Sequence, residues 1–210
     1  LRRLRGLAAS GTRPGGNGML YSAIGMRGVD VVARDGAPLG KLVDAYGNTL
    51  TDAVEVLIVD GATAGGPIRL VPSSAVQEYN TDLRTLTLGL STLDVAVCET
   101  AAEGIPVMLD RRGEEGGNLH VITGILGYMV QAKDGPVGQA ADFLVDSDGL
   151  VIRYLVVDTR DWLPGSDKLI PVPWVESVDW RRGRMYLKIT QAKAKACQRA
   201  SVGSHLLDRG

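Results

Sequence analysis

The chain has 210 residues, 45% of them hydrophobic and 22% charged, a balance that suits one or two globular domains and excludes a disordered chain. It holds 27 glycines but only 5% aromatic residues with a single Phe, which favours turns and short strands over long packed helices, and no run approaches the ~18–20 consecutive apolar residues of a membrane helix. The net charge of −1 hides a division, because residues 1–18 and 191–210 together carry +7 and leave −8 on residues 19–190, a sign that repels a phosphate backbone.

The opening LRRLRGLAASGTRPGGNG, Arg-rich and then Gly-rich with no Met at position 1, reads as a disordered leader outside the fold, with Met19 as the natural start. It has no secretory apolar region. From Leu20 the chain carries a pattern that it later repeats. Leu20, Gly28, Asp35 and Gly36 return at an offset of 99 as Leu119, Gly127, Asp134 and Gly135. Gly40, Asp44, Val59 and Asp60 return at an offset of 98 as Gly138, Asp142, Val157 and Asp158, after a turn one residue shorter. Pro72 and Val76 then match Pro171 and Val175, again at 99. The units are 19–90 and 118–190, joined by a linker 91–117 and followed by a basic tail 191–210.

Within a unit, VVARDGAPLGKLVDA reads as strand, Asp-Gly turn, strand, since Asp-Gly supplies the positive φ that a tight hairpin needs. A second hairpin follows, clearest as FLVD-SDG-LVIRYLVVD, then a loop, a short strand ending in Val71-Pro72 or Ile170-Pro171, and a last hairpin through Asp82 or Arg182-Gly183. Five or six strands this short are best protected by closing on themselves. The expectation is an all-β chain of two small barrels in tandem with flexible N- and C-terminal tails. The segment QAKAKACQRA has helical propensity but no apolar stripe, and reads as a frayed, solvated tail.

The pattern G-[YV]-x-V-x-A-x-D-G-x-x-G, followed by an acid and the run RYLVVDT, resembles the PRC-barrel family, named for the photosynthetic reaction-centre H subunit. The second unit is the closer, with Gly127, Tyr128, Asp134, Gly135, Gly138, Asp142 to Asp146, Arg153 to Thr159, Ile170, Pro171 and Trp174 where the family pattern expects them. The first is degenerate, reading EVLIVDG for RYLVVDT and lacking Trp. The resemblance implies compact β-barrels that bind or assemble and catalyse nothing. One relation is to the cytoplasmic part of the H subunit, an assembly module; another is to the C-terminal half of a bacterial ribosome-maturation factor, an RNA-linked role. The chain departs from the first by lacking its membrane helix and from the second by lacking its N-terminal barrel.

Among the recurring residues, Asp35, Gly36, Gly40, Asp44 and Asp60, with Asp134, Gly135, Gly138, Asp142 and Asp158, are read as a turn and strand-end signature: Asp before Gly bonds nearby N–H groups, and acids at strand ends find internal partners. Asp146-Ser147-Asp148-Gly149 lacks the later ligands of a calcium loop, with Leu150 at the fifth position and Val157 at the twelfth. His120 and His205 have no ligand spacing, and no nucleophile elbow, phosphate loop or HExxH motif is present. No enzyme activity, metal or cofactor is therefore expected. Trp162, Trp174 and Trp180, with Arg181, Arg182 and Arg184, all fall in the second unit and form the candidate partner face, since Trp and Arg are enriched at interfaces. Cys98 and Cys197 lack paired spacing, which fits a reducing compartment, the cytoplasm. The expected partner is a protein or complex, peripheral membrane-complex association included. Nucleic acid is disfavoured through the acidic core, a homodimer stays open, and a small-ligand or metal-binding stress protein is the third reading.

Overall fold

The computed structural model describes residues 19–49, 51–100, 119–147, 149–160 and 167–200. The leader, residues 101–117 of the linker, Trp162 and His205 lie outside them. In chain order the first half contributes β1 (Leu20–Ser22), β2 (Asp30–Val32), β3 (Pro38–Asn48), β4 (Ala53–Asp60), β5 (Ile68–Pro72), β6 (Val76–Asn80), β7 (Thr85–Leu88) and a one-turn helix α1 (Thr92–Ala96). The second half contributes β8 (Leu119–Val121), β9 (Met129–Ala132), β10 (Gly135–Asp146), β11 (Ile152–Asp158), β12 (Lys168–Pro171), β13 (Val175–Asp179), β14 (Arg184–Leu187) and α2 (Gln191–Lys195). The architecture is all-β.

Two sheets form, ordered β5-β4-β3-β2-β7-β6 and β12-β11-β10-β9-β14-β13. Neighbours are antiparallel except β2 with β7 and β9 with β14, which are parallel. Closed rings are expected from the short strands, but no ladder joins the two ends of either order among the described residues. The chain passes from β5 to β6, and from β12 to β13, through a single 3-10 turn at Ser73–Ala75 and Val172–Trp174, so the two strands that end each order are consecutive in the chain without pairing with each other.

Gly40 and Gly138, near the starts of β3 and β10, are required by close approach. Gly40 at φ 131° and Gly138 at φ 155° would each place a Cβ 2.0 Å from a carbonyl oxygen, of Asp60 and Asp158 respectively, and the ladder shifts register beside each. The resulting bulge bends a long strand so that one element serves both neighbours.

The two halves interlock. β1 pairs with β10 of the other half, Tyr21 opposite Val145, and β8 pairs with β3, His120 opposite Gly47. The side chains of the crossing strands still pack on their own half: Tyr21 lies edge-on to Tyr79, ring centroids 4.9 Å apart, and His120 stacks on Trp180. Ala53 bridges to Val151, and the amides of Ile152 and Val54 donate reciprocally to the carbonyls of Asp52 and Leu150, at 2.7 and 2.9 Å. Residues that correspond in the repeat thus pair with each other, as an approximate two-fold axis passing between them demands. One apolar core runs through both halves, from Val31, Val71 and Leu86 to Val130, Leu155 and Ile170, all unexposed.

The repeat also runs about ten residues further than the shared glycines and acids reveal. Ser91 and Thr190 cap α1 and α2, Cys98 corresponds to Cys197, and isolated bridges join Arg69 to Thr100 and Lys168 to Arg199. Residues 191–200 are therefore not a frayed tail: Ala194 is fully buried and Lys193 lies over the Trp174 ring, 4.5 Å from its centre. The missing apolar stripe misleads because a single small Ala suffices to seat so short a helix.

Candidate functional site

The recurring acids divide by what they hold. Asp35 accepts from the Ala37 amide at 3.2 Å and Asp60 from the Ala62 amide at 2.9 Å, both closing their own turns. Asp158 accepts from the Arg160 amide at 3.0 Å and pairs with its guanidinium. Asp134 departs from the expected local turn and accepts from the Gln191 amide at 2.7 Å, 57 residues away, anchoring the start of α2. Gly36 takes φ 82° and Gly135 φ 152° at the same turns.

Asp44 and Asp142 clasp the crossing segments. Asp142 accepts from the Ser22 hydroxyl and from the amides of Ile24 and Phe143, at 3.1 and 2.7 Å for the amides, and Asp44 accepts from the Thr123 hydroxyl. Asp142 is 3% exposed. Burial pushes its carboxyl above the usual range, outweighing the hydrogen bonds from Ser22, Ile24 and Phe143 that pull it down.

The run RYLVVDT has a partner as well. Arg153 donates through Nε to the buried Asp146 at 2.5 Å. At the corresponding place in the first half Glu55 replaces Arg153 and Asn48 replaces Asp146, joined by a 2.6 Å bond from Asn48 Nδ2. The difference between EVLIVDG in the first half and RYLVVDT in the second is thus one pair exchanged for another.

Of the candidate partner face, Trp180, Arg181, Arg182 and Arg184 come together on the β13–β14 turn. Trp180 is half-buried, stacked on His120 at 3.5 Å and 8° between planes, with Tyr128 edge-on at 6.1 Å. The three arginines are exposed. Arg182 folds back on Asp179, its amide at 3.0 Å and its guanidinium at 3.1 Å, and these contacts hold the Asp179 carboxyl below its usual range. Trp174 stands at the other end of β13, packed against the core under Lys193 and away from the arginines. Trp162 lies outside the described residues.

A cleft that sequence reasoning misses opens behind this turn, about 480 Å³ in volume. Its floor is Ile122, Ile125, Phe143, Val178 and Met185, its wall His120 and Trp180, and its rim Asn48, Asp52, Glu176 and Lys188. The signal available in the sequence is the repeat itself, which sets His120 where the first unit has Tyr21.

Among the described residues no group of three or more His, Cys, Asp or Glu could hold a metal ion, and no helix is long and apolar enough to cross a membrane. Burial raises both Cys98 and Cys197 above the usual thiol range, which opposes the thiolate form a nucleophile needs. Neither a scan of protein-family models nor a search of curated proteins gives a match.

Proposed function

We propose that the chain is a tandem PRC-barrel-like protein acting as a non-enzymatic binding or assembly module, with the β13–β14 turn as its partner face. One observation carries this reading: the halves share their backbone plan, yet the turn that reads Asn80-Thr81-Asp82-Leu83-Arg84 in the first reads Asp179-Trp180-Arg181-Arg182-Gly183 in the second. Balanced charge has been replaced by exposed arginines set on a braced Trp. A rigid aromatic beside guanidinium groups suits an interface hot spot, and the arginines suit an acidic protein surface. An assembly role in a larger complex follows more readily than RNA binding, because residues 19–190 carry −8 in all.

The test compares nuclease-treated pull-downs made with the wild-type chain and with Arg181→Glu/Arg182→Glu. A defined set of proteins recovered by the first and lost by the second is expected. Recovery abolished by nuclease would favour the ribosome-linked reading, and equal recovery by both baits would remove this face from the interface.

A further inference from the structure

The cleft behind the turn is a product of divergence between the halves. At the place related to it by the pseudo-two-fold axis, Tyr21 stands for His120 and fills the space against Tyr79, only 5% exposed. Leu150 stands for Asp52 and is 6% exposed, and the Gln77 side chain lies against Gly89, where the cleft has Glu176 and Lys188. Asp52 and Leu150 share the same left-handed backbone, φ 52° and 53°, so the chain path is alike and the side chains alone differ. Several positions have thus changed together, each from filling or neutral to smaller or charged.

We propose that this cleft binds a small organic cation, an amine or guanidine carried on a compact apolar body. Its volume falls in the range of ligand sites, roughly 300–1,000 Å³, and an apolar floor with a few polar groups at one side is how such sites are built. The sign comes from the rim. Two carboxylates, Asp52 and Glu176, line the cleft with one ammonium, Lys188, which already donates to the Pro173 carbonyl at 3.0 Å. Burial drives the Asp52 carboxyl up while Lys188 draws it down. A cationic head between Asp52 and Glu176 neutralises what the rim leaves in excess, while Ile122, Phe143 and Val178 take the apolar body. The cleft shares Trp180 with the proposed partner face, but Arg181 and Arg182 do not line it, so the two readings are tested by separate variants.

Benzylamine, benzyl alcohol and benzoate share one apolar body and differ in the head, so they separate shape from charge. Each is titrated into the ¹⁵N-labelled full chain, reading the amides of Gly47, Asp52, Ser177 and Lys188. Expected is saturable movement of these signals with benzylamine, at least ~10-fold weaker binding of the alcohol, and none by benzoate at equal concentration. Asp52→Asn, tolerated at left-handed φ, removes the advantage of the amine over the alcohol. Val178→Trp, which fills the floor, abolishes binding of both. If Asp52→Asn disturbs the fold, seen as lost signal dispersion, the three-ligand comparison on wild type decides alone. Benzoate or the alcohol binding as tightly as the amine, or no saturable movement at these amides with benzylamine, overturns the proposal.

Discussion

Gly138 and Asp142 sit four residues apart on β10 and show how little freedom the repeated residues have. At Gly138 an added methyl group meets the Asp158 carbonyl at 2.0 Å in a backbone conformation that L side chains rarely adopt. The neighbour is main chain in a paired strand and cannot swing aside. Gly138→Ala is expected to cost about 3 kcal/mol or more, read as a lower urea midpoint with unchanged slope, whereas Gly36→Ala, with nothing within 4 Å, costs only its left-handed φ, about 1–2 kcal/mol. Asp142 makes a different prediction, because its carboxyl is raised from 3.8 by burial. Between 3.8 and that raised value the unfolded chain has released the proton and the folded chain still holds it, so this residue's contribution to stability falls as pH rises through the window and stays at the lower level above it. Asp142→Asn has no such proton. Its urea midpoint should therefore gain on that of the wild type as pH goes from about 4 to 7. A constant difference over that range would show that burial does not dominate at this carboxyl.

The short terminal helices tie each half shut through a cation set on a neighbouring strand. Arg69 on β5 donates to the carbonyls of Ala96 and Cys98 at 2.6 and 2.9 Å, and Lys168 on β12 donates to those of Lys195 and Cys197 at 2.8 and 3.0 Å. Lys168 is 7% exposed, and its ammonium is solvated by carbonyls at the end of the helix it caps. Lys168→Ala leaves those carbonyls unpaired and should cost about 1–3 kcal/mol. It should also let α2 lift, raising the rate at which a thiol reagent modifies Cys197 while Cys98 keeps its own. Equal rates before and after would detach the cation from the docking of α2. The sequence shows this element only in part. The repeat, the Asp-Gly turns and the long hairpin strands are legible because turn chemistry and β-branched runs act locally. QAKAKACQRA looks like a loose tail because its docking depends on Lys168, which is distant in sequence; the overlooked local sign is a Ser or Thr N-cap at both Ser91 and Thr190. The crossing strands LYS and LHV are three residues long, too short to encode a partner. Likewise the cleft requires Asp52, His120, Trp180 and Lys188 to meet across two sheets, and no spacing announces that. The arginine turn, by contrast, is contiguous and so was open to reading.

At the scale of the whole molecule, the interlocking of the halves decides what can separate. Each sheet contains a strand supplied by the other half, and the bonds from Ser22 to Asp142 and from Thr123 to Asp44 reinforce the crossing. The apolar core is continuous across the pair. A fully buried aliphatic side chain contributes about 1.5–3 kcal/mol, so roughly half a dozen crossing the divide supply about 9–18 kcal/mol, comparable with the roughly 4–15 kcal/mol that association costs. Covalent continuity is then unnecessary once the fold has formed. A protease site inserted between residues 100 and 119, cut after folding, is expected to leave a chain that elutes at its uncut size and falls into two fragments only in denaturant. Ser22→Ala with Thr123→Ala should lower the urea concentration at which the cut halves part, and should affect the uncut chain less, because the tether keeps the effective concentration of each half near millimolar. Fragments that separate in native buffer would mean that the crossing strands do not hold the halves together, and each half would then have to be treated as a module in its own right.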